Sequence, residues 1–333
     1  MTHRIEMEGG GVFDVSADED TLLRGALRAG IGFPHDCSVG GCGNCRFDLV
    51  SGEMETLWAE APGLTERDRR RGKRLACQSR PRGDCVIKVR PADEYRSVVA
   101  PRRRAARLVA KTAITPEMSE FVFQAEGQAD FVPGQYGLLR PPGVEGVRAY
   151  SMSNLPNEAG EWRFVVRRVP GGRGSNALFD AVAIGDEIPL DAPYGHGYFR
   201  AAVERDVVCV AGGSGVGPIV SIARAAIAAR PARRVLVFEG ARTRADLGFE
   251  KLIGADLAGV ASYVPVLSAE PEGSDWSGAR GFVHAALEAG LADRAATCEV
   301  YFAGPPPMIE ALQELLIMRW TVPVERIHYD RFF

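Results

Sequence analysis

The stretch Cys37-Ser38-Val39-Gly40-Gly41-Cys42-Gly43-Asn44-Cys45, with Cys77 following after 31 intervening residues, decides how the chain begins to be read. Three cysteines at Cys-x4-Cys-x2-Cys with a distant fourth form the spacing that holds a [2Fe–2S] cluster through four thiolates. The residues between them suit that chemistry. Gly40, Gly41 and Gly43 let the backbone wrap closely around an inorganic core, because glycine reaches positive φ without steric cost. Several N–H groups can then point at the sulfurs and stabilise their negative charge. A structural zinc site usually carries two close-spaced pairs, and here only Cys42 and Cys45 form one. A disulfide framework suits a small secreted domain, whereas this chain has 333 residues and opens M-T-H-R-I-E-M-E, without the long apolar stretch of a signal peptide. Cys85, Cys209 and Cys298 lie in or beside apolar strand-like runs and read as buried free thiols.

Outward from the cysteines, residues 1–92 carry two strand-like runs, 3–7 and 11–15. A helix is expected next, with Asp18, Glu19 and Asp20 in its first turn, where acidic groups complement the macrodipole. Its apolar face would be Leu22, Leu23, Ala26 and Leu27. Returning strands at 47–50 and 85–89 complete a pattern compatible with a β-grasp ferredoxin domain. Residues 93–104 mix prolines and charges and read as a linker. Short strand candidates with frequent Gly/Pro turns fill 105–203 (106–110, 120–124, 136–140, 162–169, 187–190), as in an antiparallel barrel. From 204 to 333 the texture changes. Apolar strands at 207–211, 235–239 and 299–303 alternate with helices at 218–230 and 307–318, the mark of a parallel α/β domain.

Composition narrows the function classes. The chain is 46% hydrophobic and 25% charged, as in an ordinary globular protein, and its net charge of −3 argues against nucleic-acid binding. No apolar run approaches the roughly 20 residues needed to span a bilayer. Seven cysteines, four of them in the cluster pattern, imply a reducing compartment, and the reading is a cytoplasmic protein.

Two elements of the barrel region are suited to phosphate. Arg148-Ala149-Tyr150-Ser151 places a cation, an aromatic ring and a hydroxyl on one extended segment, with Arg148 and Tyr150 on the same face. Gly171-Gly172-Arg173-Gly174-Ser175-Asn176 leads into a short helical stretch at 177–181, and a Gly-rich turn into a helix N-terminus is a ready anion site. Together they suggest a flavin. In the third region, Gly212-Gly213-Ser214-Gly215-Val216-Gly217-Pro218 follows a buried strand and opens a helix, where backbone N–H groups can meet a pyrophosphate. Ala303-Gly304-Pro305-Pro306-Pro307-Met308 is a second strand-to-helix junction, at the carboxyl end of a parallel strand where open α/β sheets bind ligands.

In this order, the cysteine pattern, P-G-Q-Y at 133–136, R-A-Y-S at 148–151, G-G-S-G-V-G-P at 212–218, A-G-P-P-P-M at 303–308 and the ending H-Y-D-R-F-F resemble a known family. It is that of NAD(P)H-dependent ferredoxin-reductase-type flavoproteins with a fused N-terminal plant-type [2Fe–2S] ferredoxin. The likeness is nearest to the reductase components of bacterial aromatic-ring dioxygenases and multicomponent monooxygenases. The resemblance implies Cys37, Cys42, Cys45 and Cys77 as cluster ligands, Arg148 on the flavin phosphate, Tyr150 stacked on the isoalloxazine and Ser151 near its N5. It also implies Arg173, Gly174 and Ser175 at the FAD pyrophosphate. Gly212, Gly213, Ser214, Gly215, Gly217 and Pro218 would cradle NADH, and Gly304 and Pro305 would border the nicotinamide. Many members have Cys-Gly where this chain has Ala303-Gly304. The terminal aromatic, Phe333, is the candidate cover of the flavin. The implied reaction takes a hydride from NADH onto FAD and passes single electrons through the cluster to a terminal oxygenase, hydroxylase or small ferredoxin. A monomer is expected. Other readings are an electron-transfer or redox-sensing module without turnover of its own, and the same reductase serving a partner that is not an oxygenase.

Two features are read both ways. Glu239, at the end of the second strand of the nucleotide region, suits ribose hydroxyls and repels a 2′-phosphate, whereas Arg242 could accept one; NADH is the expectation. The run Arg67-Asp68-Arg69-Arg70-Arg71-Gly72-Lys73-Arg74 is either a solvated helix or a docking patch for an acidic partner.

Overall fold

The computed structural model describes residues 1–332, apart from the side chains at 292 and 293. The chain forms two compact units, one comprising Met1–Arg103 with Asp191–Gly195, the other Arg104–Leu190 with His196 onward.

The first unit is a five-stranded sheet crossed by a short helix. Strands β1 (Thr2–Met7) and β2 (Val12–Ser16) form a hairpin, with helix α1 (Leu22–Arg28) after it. Then come β3 (Arg46–Ser51), β4 (Met54–Thr56), helix α2 (Glu66–Arg70), β5 (Lys73–Leu75), β6 (Ser79–Pro81) and β7 (Cys85–Lys88). The sheet order is β2-β1-β7-β3-β5, and β4 pairs separately with β6. β1 and β7 run parallel across the centre. Alternation puts Ile5, Met7, Phe13, Val15, Phe47 and Ile87 in the core against Leu22, Leu23, Ala26 and Leu27 of α1. Gly25 is required where α1 meets β2, since a Cβ there would stand 2.7 Å from Val15 Cγ1.

The acidic trio does not enter the first turn of α1. Thr21 is the N-cap and accepts from the Arg24 N–H at 3.3 Å, and Asp18, Glu19 and Asp20 precede it. The ion pairing of Glu19 explains the shift. Its carboxylate is buried and binds Arg28 Nε at 2.9 Å together with Arg103, while Arg28 Nη2 reaches Asp191 Oδ2 at 2.7 Å and Nη1 the Tyr194 hydroxyl at 3.2 Å.

The second unit begins with an antiparallel, nearly closed barrel of six strands: β8 (Arg102–Ala113), β9 (Met118–Ala125), β10 (Tyr136–Leu139), β11 (Arg148–Ser151), β12 (Glu161–Arg167) and β13 (Glu187–Tyr194), in the order β11-β10-β13-β8-β9-β12. A bridge between Met152 and Phe164 joins its two edge strands. β8 begins within the stretch read as a linker. Helix α3 (Arg173–Asp180) follows β12, starting four residues earlier than the helical stretch read from the sequence.

The barrel leads into a parallel six-stranded sheet made of β14 (Val207–Gly212), β15 (Val235–Ala241), β16 (Ser262–Leu267), β17 (Ala279–Arg280), β18 (Glu299–Gly304) and β19 (Ile327–Arg331), in the order β17-β16-β15-β14-β18-β19. The connecting helices are α4 (Val216–Ala229), α5 (Phe249–Ile253), α6 (Val283–Leu291) and α7 (Pro306–Gln313). β14 is buried on both faces, which is why it reads as the unbroken apolar run V-V-C-V-A-G. One face (Val207, Cys209, Ala211, Val237, Tyr301) packs with α4 and α5, and the other (Val208, Val210, Phe238, Val300, Phe302) with α6 and α7. Cys85, Cys209 and Cys298 are buried and unbridged.

Candidate functional site

The cysteine loop lies between α1 and β3, and its fourth thiol comes from the turn between β5 and β6. Cys37 Sγ accepts the N–H groups of Gly41 and Cys42, each at 3.3 Å, and Cys42 Sγ accepts that of Asn44 at 3.5 Å. The sulfurs of Cys45 and Cys77 are 3.4 Å apart. The Cys42 thiol donates to Cys37 Sγ, and this, with the N–H donors, draws the Cys37 thiol down to about 6. A cluster needs thiolates; the loop favours the thiolate at Cys37, whereas the hydrogen bonds that Cys42 and Cys77 make to neighbouring thiols, together with burial, push those two thiols up. Ser38, Gly40 and Gly43 take positive φ (56°, 92° and 82°) to turn the loop inward. Its outer wall is equally tight, because a Cβ on Gly63 would stand 2.7 Å from the Gly43 nitrogen and 2.8 Å from the Gly40 carbonyl oxygen. The thiols lie as two pairs, Cys37 with Cys42 and Cys45 with Cys77, with N–H donors on the first pair, a donor set of the kind that holds a [2Fe–2S] cluster.

In the barrel, the two phosphate-suited elements meet. β11 pairs with β10 in the register Leu139↔Arg148 and Tyr136↔Ser151. The Arg148 side chain lies across the start of α3, so that a Cβ on Gly174 would come 2.7 Å from Arg148 Cγ and 2.9 Å from its Nε. α3 has Gly172 as its N-cap with no side-chain cap, which leaves N–H groups at this end for an anion. Ser175 Oγ accepts from the Val169 N–H at 3.1 Å and so ties the turn, while Arg173 is exposed. A guanidinium over an uncapped helix start fits a phosphate or pyrophosphate. Burial pushes the Tyr150 phenol up to about 12, and it stays neutral at working pH.

The Gly-rich junction after β14 and the junction after β18 are packed against each other. A Cβ on Gly212 would meet Met308 Sδ at 2.6 Å, and one on Gly215 would strike the Ala303 carbonyl. Gly217 lies against Val165, and Pro218 is buried in the first turn of α4. Gly213, at φ 55°, and Ser214 form the half-buried tip of the turn, ahead of a helix with no side-chain cap. Close backbone approach and unspent N–H groups fit a dinucleotide phosphate. β19 brings Asp330 and Arg331 beside Ala303 and Gly304. Ser151 Oγ donates to Asp330 Oδ2 at 3.5 Å, so the barrel and the nucleotide sheet meet at this pair. The ending H-Y-D-R-F-F was visible as a motif, but no role for Asp330 could be read from it.

Glu239, expected at a ribose, is 1% exposed, and its carboxylate accepts from the Gly248 N–H at 2.8 Å, the Phe249 N–H at 3.3 Å and the Tyr263 hydroxyl. Two unspent N–H groups at the start of α5 compete for the carboxylate and win, since a buried anion needs such donors. Arg242, three residues on, is exposed. Phe333, the expected flavin cover, lies outside the described residues; Phe332 donates its N–H to the Gly304 carbonyl at 3.0 Å.

Three family models match in chain order: a 2Fe-2S iron-sulfur cluster binding domain over residues 5–82, an oxidoreductase FAD-binding domain over 105–199, and an oxidoreductase NAD-binding domain over 209–314. The ferredoxin–NAD(P)+ reductase CarAd of Metapseudomonas resinovorans is 38% identical over 94% of this chain and 94% of its own. The ferredoxin–NAD+ reductase component of the alkene monooxygenase system of Xanthobacter autotrophicus is 37% identical over 98% of this chain and 100% of its own. Among solved structures, the ferredoxin reductase in carbazole 1,9a-dioxygenase superposes with a TM-score of 0.93 at 34% identity, covering 100% of this chain and 99% of that one.

Proposed function

We propose that this chain, which belongs to the iron–sulfur flavoprotein family of ferredoxin–NAD(P)+ reductases, delivers its electrons to a separate terminal oxygenase or hydroxylase, or to a small ferredoxin serving one, in an aromatic-hydroxylation system. The observation that carries this reading is the full-length match to reductases that are themselves components of oxygenase systems.

The enzyme is an NADH-dependent oxidoreductase whose electrons run from NADH to FAD to [2Fe–2S]. Bound here, FAD would supply acceptance of a hydride's two electrons and their release singly, and the [2Fe–2S] cluster one-electron carriage. The protein supplies position and charge. Cys37, Cys42, Cys45 and Cys77 would hold the cluster, with the N–H groups of Gly41, Cys42 and Asn44 offsetting its negative sulfur. Arg148 and the start of α3, through Gly174 and Ser175, would fix the FAD phosphates. The turn from Gly212 to Pro218 would fix those of NADH, and Gly304 and Pro305 would flank its nicotinamide. Ser151, held by Asp330, would present a hydroxyl at the flavin edge, and Tyr150 would lie on the ring. No general base or nucleophile is required.

Among the described residues no helix is long and apolar enough to cross a membrane, and the seven cysteines are unbridged. The unbridged thiols favour a reducing, cytoplasmic setting, and sedimentation of the holoenzyme should give a monomer. The test of partner is reconstitution with a purified terminal aromatic-ring oxygenase or hydroxylase and its small ferredoxin. NADH-dependent product formation that requires this protein supports the reading. Product formation at equal rate without it, while it still reduces ferricyanide with NADH, overturns the partner.

A further inference from the structure

An exposed tryptophan stands against the cluster loop. Trp58, on the segment after β4, is 45% exposed, yet its ring lies against Gly40, where a Cβ would come 3.2 Å from Trp58 Cε3 and 3.3 Å from Cζ3. Between Cys37 and Cys45 it is Gly40, at φ 92°, that leaves room for this ring. The segment is fixed to the loop by the Leu57 N–H to the Gln78 carbonyl at 2.9 Å and the Gly63 N–H to the Gly40 carbonyl at 2.9 Å. A large aromatic held in place while half in water gains little for the fold. It is the kind of side chain that anchors protein interfaces.

The basic run lies on the same support. Thr65 caps α2 with Asp68 in a capping box, and Arg69 Nη2 binds the Ala61 carbonyl at 3.0 Å, three residues from Trp58. Residues 65–74 hold six cations (Arg67, Arg69, Arg70, Arg71, Lys73, Arg74) and two anions (Glu66, Asp68), a local charge of +4 in a chain of net −3. Not all of these charges are free. Lys73 pairs with Asp48 at 2.7 Å, Arg46 takes up Asp68 at 3.2 Å, and Arg74 donates to Met54 and Thr56. Arg67, Arg70 and Arg71 point outward, against exposed Glu60 and Glu66 as opposing charges.

We propose that Trp58 together with Arg67, Arg70 and Arg71 forms the docking surface for the electron acceptor, a redox protein whose face is acidic around an apolar spot that receives the indole. The inference rests on the reading that the cluster hands electrons to a separate protein, and it specifies the chemistry of that protein's face. The arginines steer the encounter, and the indole holds the complex over the cluster loop.

The test uses one redox centre carried on two surface charges. Native cytochrome c is basic, and its succinylated form is acidic. In each, one electron leaves the reduced cluster and converts haem Fe(III) to Fe(II), with no proton transferred. With the holoenzyme and NADH at low salt, the succinylated form is reduced about tenfold or more faster than the native form, and this advantage collapses as salt approaches about 0.3 M. Arg67→Glu/Arg70→Glu/Arg71→Glu removes the preference. Trp58→Ala raises KM for the succinylated form by about tenfold, and Trp58→Phe restores most of the loss. NADH–ferricyanide activity and the cluster absorbance stay at wild-type level in all variants. Native cytochrome c reduced as fast as the acidic form at low salt, or a Trp58→Ala variant with unchanged KM, would overturn the proposal. Failure of the wild type to reduce ferricyanide with NADH would instead strike the reductase reading itself.

Discussion

Ser151, on the barrel strand β11, donates its hydroxyl to the Asp330 carboxylate on the edge strand β19 of the nucleotide sheet, at 3.5 Å. Asp330 lies opposite Ala303 and beside Gly304, where a nicotinamide would come. On the proposed reading the pair would orient a hydroxyl where hydride transfer takes place. Ser151→Ala is expected to slow flavin reduction by NADH by about tenfold or more whichever acceptor is offered. Asp330→Asn should slow it less, because the hydroxyl loses its orientation and not its presence. Stopped-flow bleaching of the flavin measures both. Because the residues act as a unit, the double variant should be hardly slower than Ser151→Ala alone. Fully additive losses would show that they act independently.

Gly174→Ala tests the phosphate grip. The added methyl meets Arg148 Cγ at 2.7 Å and must push the guanidinium off the start of α3. FAD affinity should fall by about tenfold or more, with ferricyanide activity restored when free FAD is raised. The cluster spectrum should not change. Unaltered FAD retention through gel filtration would place the phosphate elsewhere.

Coenzyme choice should not depend on Glu239, whose carboxylate is occupied by Gly248, Phe249 and Tyr263. Glu239→Gln is expected to leave the NADH/NADPH ratio of kcat/KM within about twofold of wild type, whereas Arg242→Ala should weaken NADPH and spare NADH. A strong gain in NADPH use by the Gln variant would return Glu239 to the ribose.

The same carboxylate has a pH signature. Burial raises Glu239 above its ordinary value, against the lowering effect of its three donors. A group raised on folding stabilises fully below its unfolded value, about 4.3, and that contribution is lost as pH climbs through the folded value. Gln cannot ionise and has no such loss. The Tm of Glu239→Gln relative to wild type should therefore move upward between about pH 5 and 8, read by calorimetry. A difference that moves downward over this range would mean the folded site prefers the ionised form.

What the sequence disclosed follows from how local each signal is. The cysteine spacing, the apolar β14 and the Gly-rich turn after it each carry their meaning within ten residues, and the fold follows them. β16 was missed because Pro265 interrupts S-Y-V-P-V-L; the proline is tolerated because the short edge strand β17 pairs only with Val266 and Leu267. β19 was missed for a similar reason, as an edge strand whose I-H-Y-D-R is mostly polar. Glu19 and Glu239 misled in another way. Both carry a charge whose local reading is sound, a helix start for one and a ribose for the other. Both are taken by partners distant in sequence, Arg103 and Asp191's partner Arg28 for Glu19, and Tyr263 for Glu239. The nearness of Arg148 to Gly174 is likewise a product of barrel closure and not of sequence spacing.

The central claim is that the cluster lies downstream of the flavin on a single path, and Cys45→Ser tests it most directly. Exchanging a thiolate for a harder oxygen ligand should remove the cluster or make it labile. The purified variant, compared with wild type by visible absorbance and by NADH-driven reduction of ferricyanide and cytochrome c, should lose the cluster bands and most cytochrome c reduction. It should keep ferricyanide reduction near the wild-type rate. A variant with full cluster absorbance and undiminished cytochrome c reduction, or one that loses ferricyanide reduction as completely, would contradict the account.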